Sequence, residues 1–299
     1  MRRINFGIRI YFEFLKKFLG FLPYPWYVVI SVTERCNSKC KTCFIWKYGR
    51  ENAENELDVN EWKRVIENMK NKVLVFGVMG GEPFLRDDIY EFLEILCNSK
   101  PHIISIATNG LLTEKIVYVM KKIAINFPYV NFHINISIDG LHEKNDMIRG
   151  VKGAFERSMK TLIELERLEL KNLKVGVNSL LSIFNQKDFL KTYNFFSEKN
   201  IPWIFEIAEN RKNLMNIEAK ISPEESEVRC NLKRIIENER IKNNDFVGKI
   251  RELFYERLYY KKPMKCWLPS FYCYINSLGE VFFCPNRGDG VGNLREMNY

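Results

Sequence analysis

Three cysteines stand together near the amino end, in the stretch TERCNSKCKTCFIW: Cys36, Cys40 and Cys43, at C-x3-C-x2-C spacing. Thiolates are soft ligands suited to zinc, copper and iron–sulfur centres. Three on one short loop can converge on a single metal centre. A closed mononuclear zinc site would need a fourth, distant ligand. An iron–sulfur cube on three cysteines leaves one iron open for a substrate or cofactor. The start of the chain is apolar but broken by charges, with no small-residue cleavage site. A reducing, cytoplasmic compartment is therefore expected, where clustered cysteines hold metal or do chemistry more often than they form disulfides.

The residues around this loop show what must position it. The run WYVVISVT (26–33) is continuous, apolar and β-branched, the pattern of a buried parallel strand. Further strands are expected at 73–80, 103–108, 130–139, 173–181 and 201–209. Helical spacing fills the gaps at 58–69, 88–97, 114–124, 154–168 and 187–199. Six such units in succession predict a parallel sheet with helices outside. An open doubly wound sheet and a partial barrel both satisfy the pattern. In either, ligands gather at the carboxyl ends of strands, where the cysteine loop falls. Residues 210–262 turn polar and helical, and the last forty residues change character again, with Cys266, Cys273 and Cys284.

Motifs at successive strand ends extend the picture. GGEP (Gly80, Gly81, Glu82, Pro83) ends the second strand, and Thr108 and Asn109 end the third. SIDG, with Ser137 and Asp139, ends the fourth and is followed by Arg149. Taken with the cysteine triad, this ordered series resembles the radical S-adenosylmethionine (SAM) superfamily over about residues 26–209. The resemblance implies a 4Fe–4S cluster on Cys36, Cys40 and Cys43. It implies SAM bound near the GGEP and Thr108–Asn109 motifs, with Ser137 and Arg149 as contacts. It further implies reductive cleavage of SAM to a 5′-deoxyadenosyl radical that abstracts hydrogen from a substrate, with an electron donor of the ferredoxin or flavodoxin type. Two positions depart from the family's habit. Thr42 replaces an aromatic residue before the last cysteine, and Asn145-Asp146 replaces a His-Asp pair.

The tail, C-x6-C-x10-C or C-x12-G-x4-C through Gly279, resembles the opening of SPASM and twitch domains. Under that resemblance Cys266, Cys273 and Cys284 hold a second, auxiliary iron–sulfur cluster. The expected architecture is α/β: a partial (β/α)6 TIM-like barrel with a small C-terminal cysteine-containing α+β extension. Its parts are an amphipathic amino-terminal helix (1–25), the radical SAM core (26–209), a helical insert (210–262) and a twitch-like domain (263–299). Cys97 reads as a core thiol and Cys230 as a weaker fourth auxiliary ligand. His102, His133 and His142 do not cluster. Glu206, inside the apolar run WIFEIAE, and Asn178 in the fifth strand are candidate substrate-site residues, because a buried carboxylate needs a partner or a task; Glu206 reads equally as an outward residue paired with a lysine.

With 299 residues the chain can bury about 75% of its unfolded surface in a large core, and its net charge is +9. That charge suits an anionic partner or a lysine-rich soluble surface. The first residues are too charged to span a bilayer. Their aromatic and aliphatic residues beside Arg and Lys suit a helix lying on an anionic membrane, or one packed against the barrel. Substrates of two kinds are expected: a peptide, from the tail's resemblance, or a lipid or isoprenoid, from the amphipathic start. The alternative is a non-enzymatic zinc protein that binds nucleic acid. It is disfavoured, because the interleaved basic and aromatic motifs of nucleic-acid binders are absent.

Overall fold

A computed structural model describes residues 24–49, 51, 53–242, 270–284 and 289–296, together with Ile8, Tyr11, Phe12, Leu15, Lys16 and Leu19. Six parallel strands form in chain order: β1 (Tyr27–Ser31), β2 (Val75–Met79), β3 (Ile103–Thr108), β4 (Asn131–Ser137), β5 (Leu173–Leu181) and β6 (Trp203–Ile207). The crossovers are α1 (Val59–Asn68), α2 (Ile89–Asn98), α3 (Thr113–Asn126), α4 (His142–Arg149), α5 (Ala154–Glu166) and α6 (Phe189–Glu198), with α7 (Glu225–Lys242) after β6. Parallel strands cannot be joined by tight hairpins, so each neighbouring pair needs such a crossover. The result is an α/β sheet of partial TIM-barrel type.

The strand pleat divides the side chains. Val28, Ile30, Phe76, Val78, Ile104, Ile106, Phe132, Ile134 and Ile136 face the helices and join one large buried cluster. Trp62, Phe92, Met120 and Leu162 meet them there from α1, α2, α3 and α5. The residues between them on each strand face the concave side. Local signals set the helix ends. Asp58 Oδ1 accepts from the amides of Asn60 and Glu61, and Glu61 returns the bond to the Asp58 amide, a capping box before the apolar face of α1. Sequence periodicity misses α4, a short polar helix with only Asn145 and Ile148 buried. Gly150, at φ +69°, stops it.

The carboxyl-terminal strands do not stand apart. β7 (Tyr272–Ile275) pairs parallel to β1, from Tyr27 opposite Tyr272 to Ile30 opposite Ile275. β8 (Glu280–Phe282) and β9 (Gly292–Asn293) follow antiparallel, and the nine strands run β6-β5-β4-β3-β2-β1-β7-β8-β9. The tail therefore extends the barrel sheet along its β1 edge. The Leu57 amide bonds the Ser277 carbonyl at 2.7 Å, and Arg295 meets Glu61 at 2.8 Å, which anchors the hairpin to α1. Among the described residues no helix is long and apolar enough to cross a membrane.

Candidate functional site: a thiol loop clamped at the strand ends

The loop after β1 is held on every side by backbone. The Gly81 amide bonds the Thr33 carbonyl at 2.7 Å, and the Glu82 amide bonds the Arg35 carbonyl at 2.8 Å. A Cβ on Gly81 would lie 2.2 Å from the Arg35 oxygen, and one on Gly80 would lie 2.3 Å from the Thr33 oxygen. The two glycines of GGEP are therefore what lets the loops touch. Farther along, the Lys39 and Lys41 amides bond the Arg149 and Ile148 carbonyls at 3.0 and 2.9 Å. Asn216 Nδ2 donates to the Thr42 carbonyl at 2.7 Å. Asn109 Nδ2 donates to Asn37 Oδ1 at 2.6 Å and to Ser38 Oγ at 3.2 Å, tying the third strand's end to the thiol loop.

Cys40 is buried, and Cys36 and Cys43 are partly exposed. Burial pushes the Cys36 thiol up to about 11 and the Cys43 thiol up to about 12, with the neighbouring Cys40 adding to both. Cys40 is raised by the same burial, against the pull of Arg149. Without a metal these groups are protonated thiols; metal binding must displace their protons. Among the described residues no three ligating side chains meet at one ion position. A cube does not ask them to, because each thiolate takes a separate iron. Three mutually interacting thiols on one braced loop fit such a cluster.

Glu82 follows β2 in the GGEP motif. Its side chain is wholly buried, away from any open surface. Its Oε1 accepts from the Thr108 hydroxyl at 2.8 Å and the Phe84 amide at 3.2 Å, and its Oε2 accepts from the Asn109 amide at 2.7 Å. Burial raises its pKa, and these three donors oppose the rise. Glu82 and Thr108 thus knot two strand ends together, and Pro83 opens the 3₁₀ turn behind them.

Arg149 projects between β4 and the thiols. Its Nη1 donates to Asp139 Oδ2 at 3.0 Å, and Asp139 is only 2% exposed. Burial opposes the guanidinium charge, but Cys40 and Cys36, when they carry thiolate charge, and the Asp139 carboxylate raise the Arg149 pKa. Asp139 also accepts from the Leu180 amide at 2.8 Å, while its own amide bonds Asn145 Oδ1 at 2.9 Å. Asn145 therefore carries out a structural task at the position where the family habitually has His. Its Nδ2 is buried without a partner in the protein.

On the concave side, Ser137 pairs in register with Asn178, whose Oδ1 is buried without a hydrogen-bond partner in the protein. Glu206 alternates with Trp203 and Phe205, which pack into the core, so it faces away from the helices. The expectation of a buried carboxylate fails: the side chain is 54% exposed and lies 3.7 Å from Arg211. Burial raises the Tyr27 hydroxyl pKa, and Glu206 adds to the rise from the far edge of the sheet.

Of the three tail cysteines, Cys273 and Cys284 lie among the described residues. Cys273 sits in the main core, raised to about 12 by burial with no thiol contributing. Tyr272 and Tyr274 point to the other face, and both Cys273 and Cys284 act on Tyr272. Cys266 lies outside the described residues. Cys230 is exposed on α7, which packs on α6. Cys97 is fully buried, as its helical context suggested. Of the histidines, His133 has its pKa lowered by burial, and His142 contacts Glu156 at 3.0 Å on the surface.

Fold and site define a barrel enzyme class with a thiol loop at the strand ends. The model of the Radical SAM superfamily matches residues 30–196, and the chain belongs to that superfamily, whose enzymes use a 4Fe–4S cluster and SAM. Fe-coproporphyrin III synthase of Methanosarcina barkeri is 31% identical over 59% of this chain and 42% of its own length. AdoMet-dependent heme synthase of the same organism is 24% identical over 92% of this chain and 81% of its own. SuiB of Streptococcus suis, solved with SAM and with its precursor peptide SuiA, superposes with a TM-score of 0.70 in both forms. At 18% identity for the SAM-bound form, covering 95% of this chain and 66% of SuiB, that likeness is one of fold. The chain spans about half the length or less of the first curated relatives it matches. The zinc-protein alternative finds no support among these relatives.

Proposed function

We propose that Cys36, Cys40 and Cys43 hold a 4Fe–4S cluster and that Ser137, Arg149 and the backbone at Gly80–Gly81 border bound SAM. The observation that carries this is the braced thiol loop with Arg149 beside it. When bound, the cluster would supply one-electron reduction of SAM, and with it radical hydrogen abstraction from the substrate. The chain's own residues do the positioning. Asp139 orients Arg149, Glu82 fixes the Thr108–Asn109 turn, and the glycines hold the loops at contact distance. Anaerobic reconstitution tests the reading. The parent should bind about four irons for the one cube and release 5′-deoxyadenosine under dithionite. A Cys36→Ala/Cys40→Ala/Cys43→Ala variant that still makes 5′-deoxyadenosine overturns it.

For substrate, we favour a peptide reaching the concave face, where Asn178 and Glu206 present polar atoms. The peptide-bound SuiB structure supports this through the shared fold. A second reading, a tetrapyrrole, draws on the names of the heme-related relatives. It also draws on the aromatic wall of Tyr27, Tyr272, Tyr274 and Phe282. Titration with iron coproporphyrin III separates them: a shifted Soret band that a Tyr274→Ala variant loses supports the tetrapyrrole, and an unshifted band the peptide.

We also propose that the amino end rests on an anionic bilayer. Ile8, Tyr11, Phe12, Leu15 and Leu19 recur at helical spacing, and all five are exposed. Such a stripe beside Lys and Arg suits a membrane interface. Deleting residues 1–22 should abolish salt-sensitive binding to anionic liposomes; undiminished binding would sink the idea.

A further inference from the structure

The turns that lead into the strands form the face opposite the thiol loop, and their charge is lopsided. Lys70 and Lys72 precede β2, Lys100 precedes β3, Lys171 precedes β5 and Lys199 precedes β6. All five are exposed, and among the described residues no carboxylate pairs with any of them. Glu169 is the acid of these turns, and Arg167 is matched by Glu164 at 2.7 Å. Glu67, Glu166 and Glu198 stand on the last helical turns, and the rim still keeps a positive excess. Cations at a helix carboxyl end complement its dipole, but that effect is spent within the last turn. Lys171 lies well past the end of α5 at Glu166, so helix stability does not account for it.

This face is stitched together. The Leu74 amide bonds the Trp26 carbonyl at 2.8 Å, the His102 amide bonds the Leu74 carbonyl at 2.9 Å, and the Asn131 amide bonds the His102 carbonyl at 3.1 Å. Asn172 Nδ2 donates to the Ala124, Phe127 and Val130 carbonyls at 3.0, 3.3 and 3.1 Å. Neighbouring turns therefore hold their lysines at fixed places around one surface. The amino-terminal chain enters β1 from the same side. Tyr24 there is 39% exposed, and Lys72 Nζ is 4.8 Å from its ring centroid. The exposed stripe of Ile8, Tyr11, Phe12, Leu15 and Leu19 precedes it in the chain. Aliphatic and aromatic residues beside clustered lysines are what an anionic bilayer surface attracts. A nucleic acid would engage the lysines but leave the stripe without a task.

We infer that the strand-start face, with Lys70, Lys72, Lys100, Lys171 and Lys199, docks on an anionic phospholipid bilayer and turns the thiol loop toward water. This rests on the membrane reading of the amino end and adds an orientation to it. A parallel strand rises about 3.3 Å per residue, so Ser137 at the end of the seven-residue β4 stands roughly 20 Å above Asn131 at its start. The site then opens away from the acyl chains. A substrate that arrives through water suits that orientation, and a lipid drawn from the same membrane does not.

The test uses the full chain and vesicles of phosphatidylglycerol mixed with phosphatidylcholine. Flotation should show binding that falls as salt rises and is lost on phosphatidylcholine alone. Lysine acetylation, read by mass spectrometry, should find Lys70, Lys100 and Lys171 shielded by the vesicles. Exposed Lys152, Lys187 and Lys220, which follow β4, β5 and β6, should react as they do in the free protein. The Lys70→Glu/Lys100→Glu/Lys171→Glu variant should bind at least about tenfold more weakly, about 1.4 kcal/mol. A Lys152→Glu/Lys187→Glu/Lys220→Glu variant, with the same change in net charge, should bind as the parent does. Vesicle binding with Lys70, Lys100 and Lys171 unshielded, or equal weakening by the two variants, overturns the proposal and leaves the amino-terminal reading standing. Unchanged affinity of the first variant does the same. Acetylation needs no variant, so its pattern decides if the first variant does not fold. A parent that ignores the anionic vesicles refutes the amino-terminal reading and this face with it; shielding of the same lysines by an RNA duplex would then assign the face to nucleic acid.

Discussion

Glu82 and Arg149 show how single charges hold this site. Glu82→Gln keeps the shape but exchanges one acceptor for a donor. With the Thr108 hydroxyl, Phe84 amide and Asn109 amide all donating to the carboxylate, one buried pair becomes donor against donor. A loss of about 1–3 kcal/mol in urea unfolding is expected. A value near zero would mean that Glu82 is already protonated. Arg149→Ala strands Asp139, which is almost fully buried. Breaking a buried pair costs about 3–5 kcal/mol. The lower end applies here, because the Leu180 amide still bonds Asp139. SAM affinity, read by equilibrium dialysis, should fall as well. Arg149→Lys should recover more of the stability than of the affinity, since an ammonium keeps the charge but not the planar fork.

At the scale of elements, the glycines between strands distinguish contact from conformation. Gly81→Ala would press a methyl into the Arg35 carbonyl, so the thiol loop must move. Iron retention after gel filtration should drop along with the melting temperature. Gly153→Ala meets nothing within 4 Å and strains only its φ of +72°. About 1 kcal/mol should be lost there, with iron unchanged. The β7–β8 hairpin makes a separate prediction. Iodoacetamide should label exposed Cys230 quickly in the native protein, and buried Cys97 and Cys273 only on unfolding. Fast native labelling of Cys273 would show that the hairpin does not stay paired to β1. Strand and helix positions were readable because apolar runs and helical spacing alternate over nearly two hundred residues. The short helix α4 was not, since its polar face outweighs two buried residues.

The molecule as a whole should lose stability in alkali when no cluster is bound. Burial lifts Cys36 to about 11 and Cys43 and Cys273 to about 12, from an ordinary value near 9. The unfolded chain releases these protons near 9 and the folded chain only above 11. Across that window the folded state holds more protons, so its stability is full below 9 and declines as pH rises toward 12. Each unit of difference is worth roughly 1.4 kcal/mol per thiol. Melting temperatures of the iron-free protein from pH 8 to 11 should fall more steeply than those of a Cys36→Ser/Cys43→Ser/Cys273→Ser variant. Parallel curves would refute the burial argument.

By itself the sequence determined the family, the alternating strands and helices, and the three thiols at the end of the first strand. Those features are local: a period of two or 3.6 residues, a spacing of four and three, a glycine pair at a strand end. Their meaning survives without knowing what lies across the molecule. Only the tertiary structure decided what each motif residue touches. Glu82 belongs to a buried knot, and Glu206 stands in the open beside Arg211. Cys273 sits in the main core, on a strand that pairs with β1. Thr108 and Asn109, which bond Glu82, lie 26 and 27 positions away. Which face a strand residue presents depends on the register of a neighbour that its own sequence does not encode.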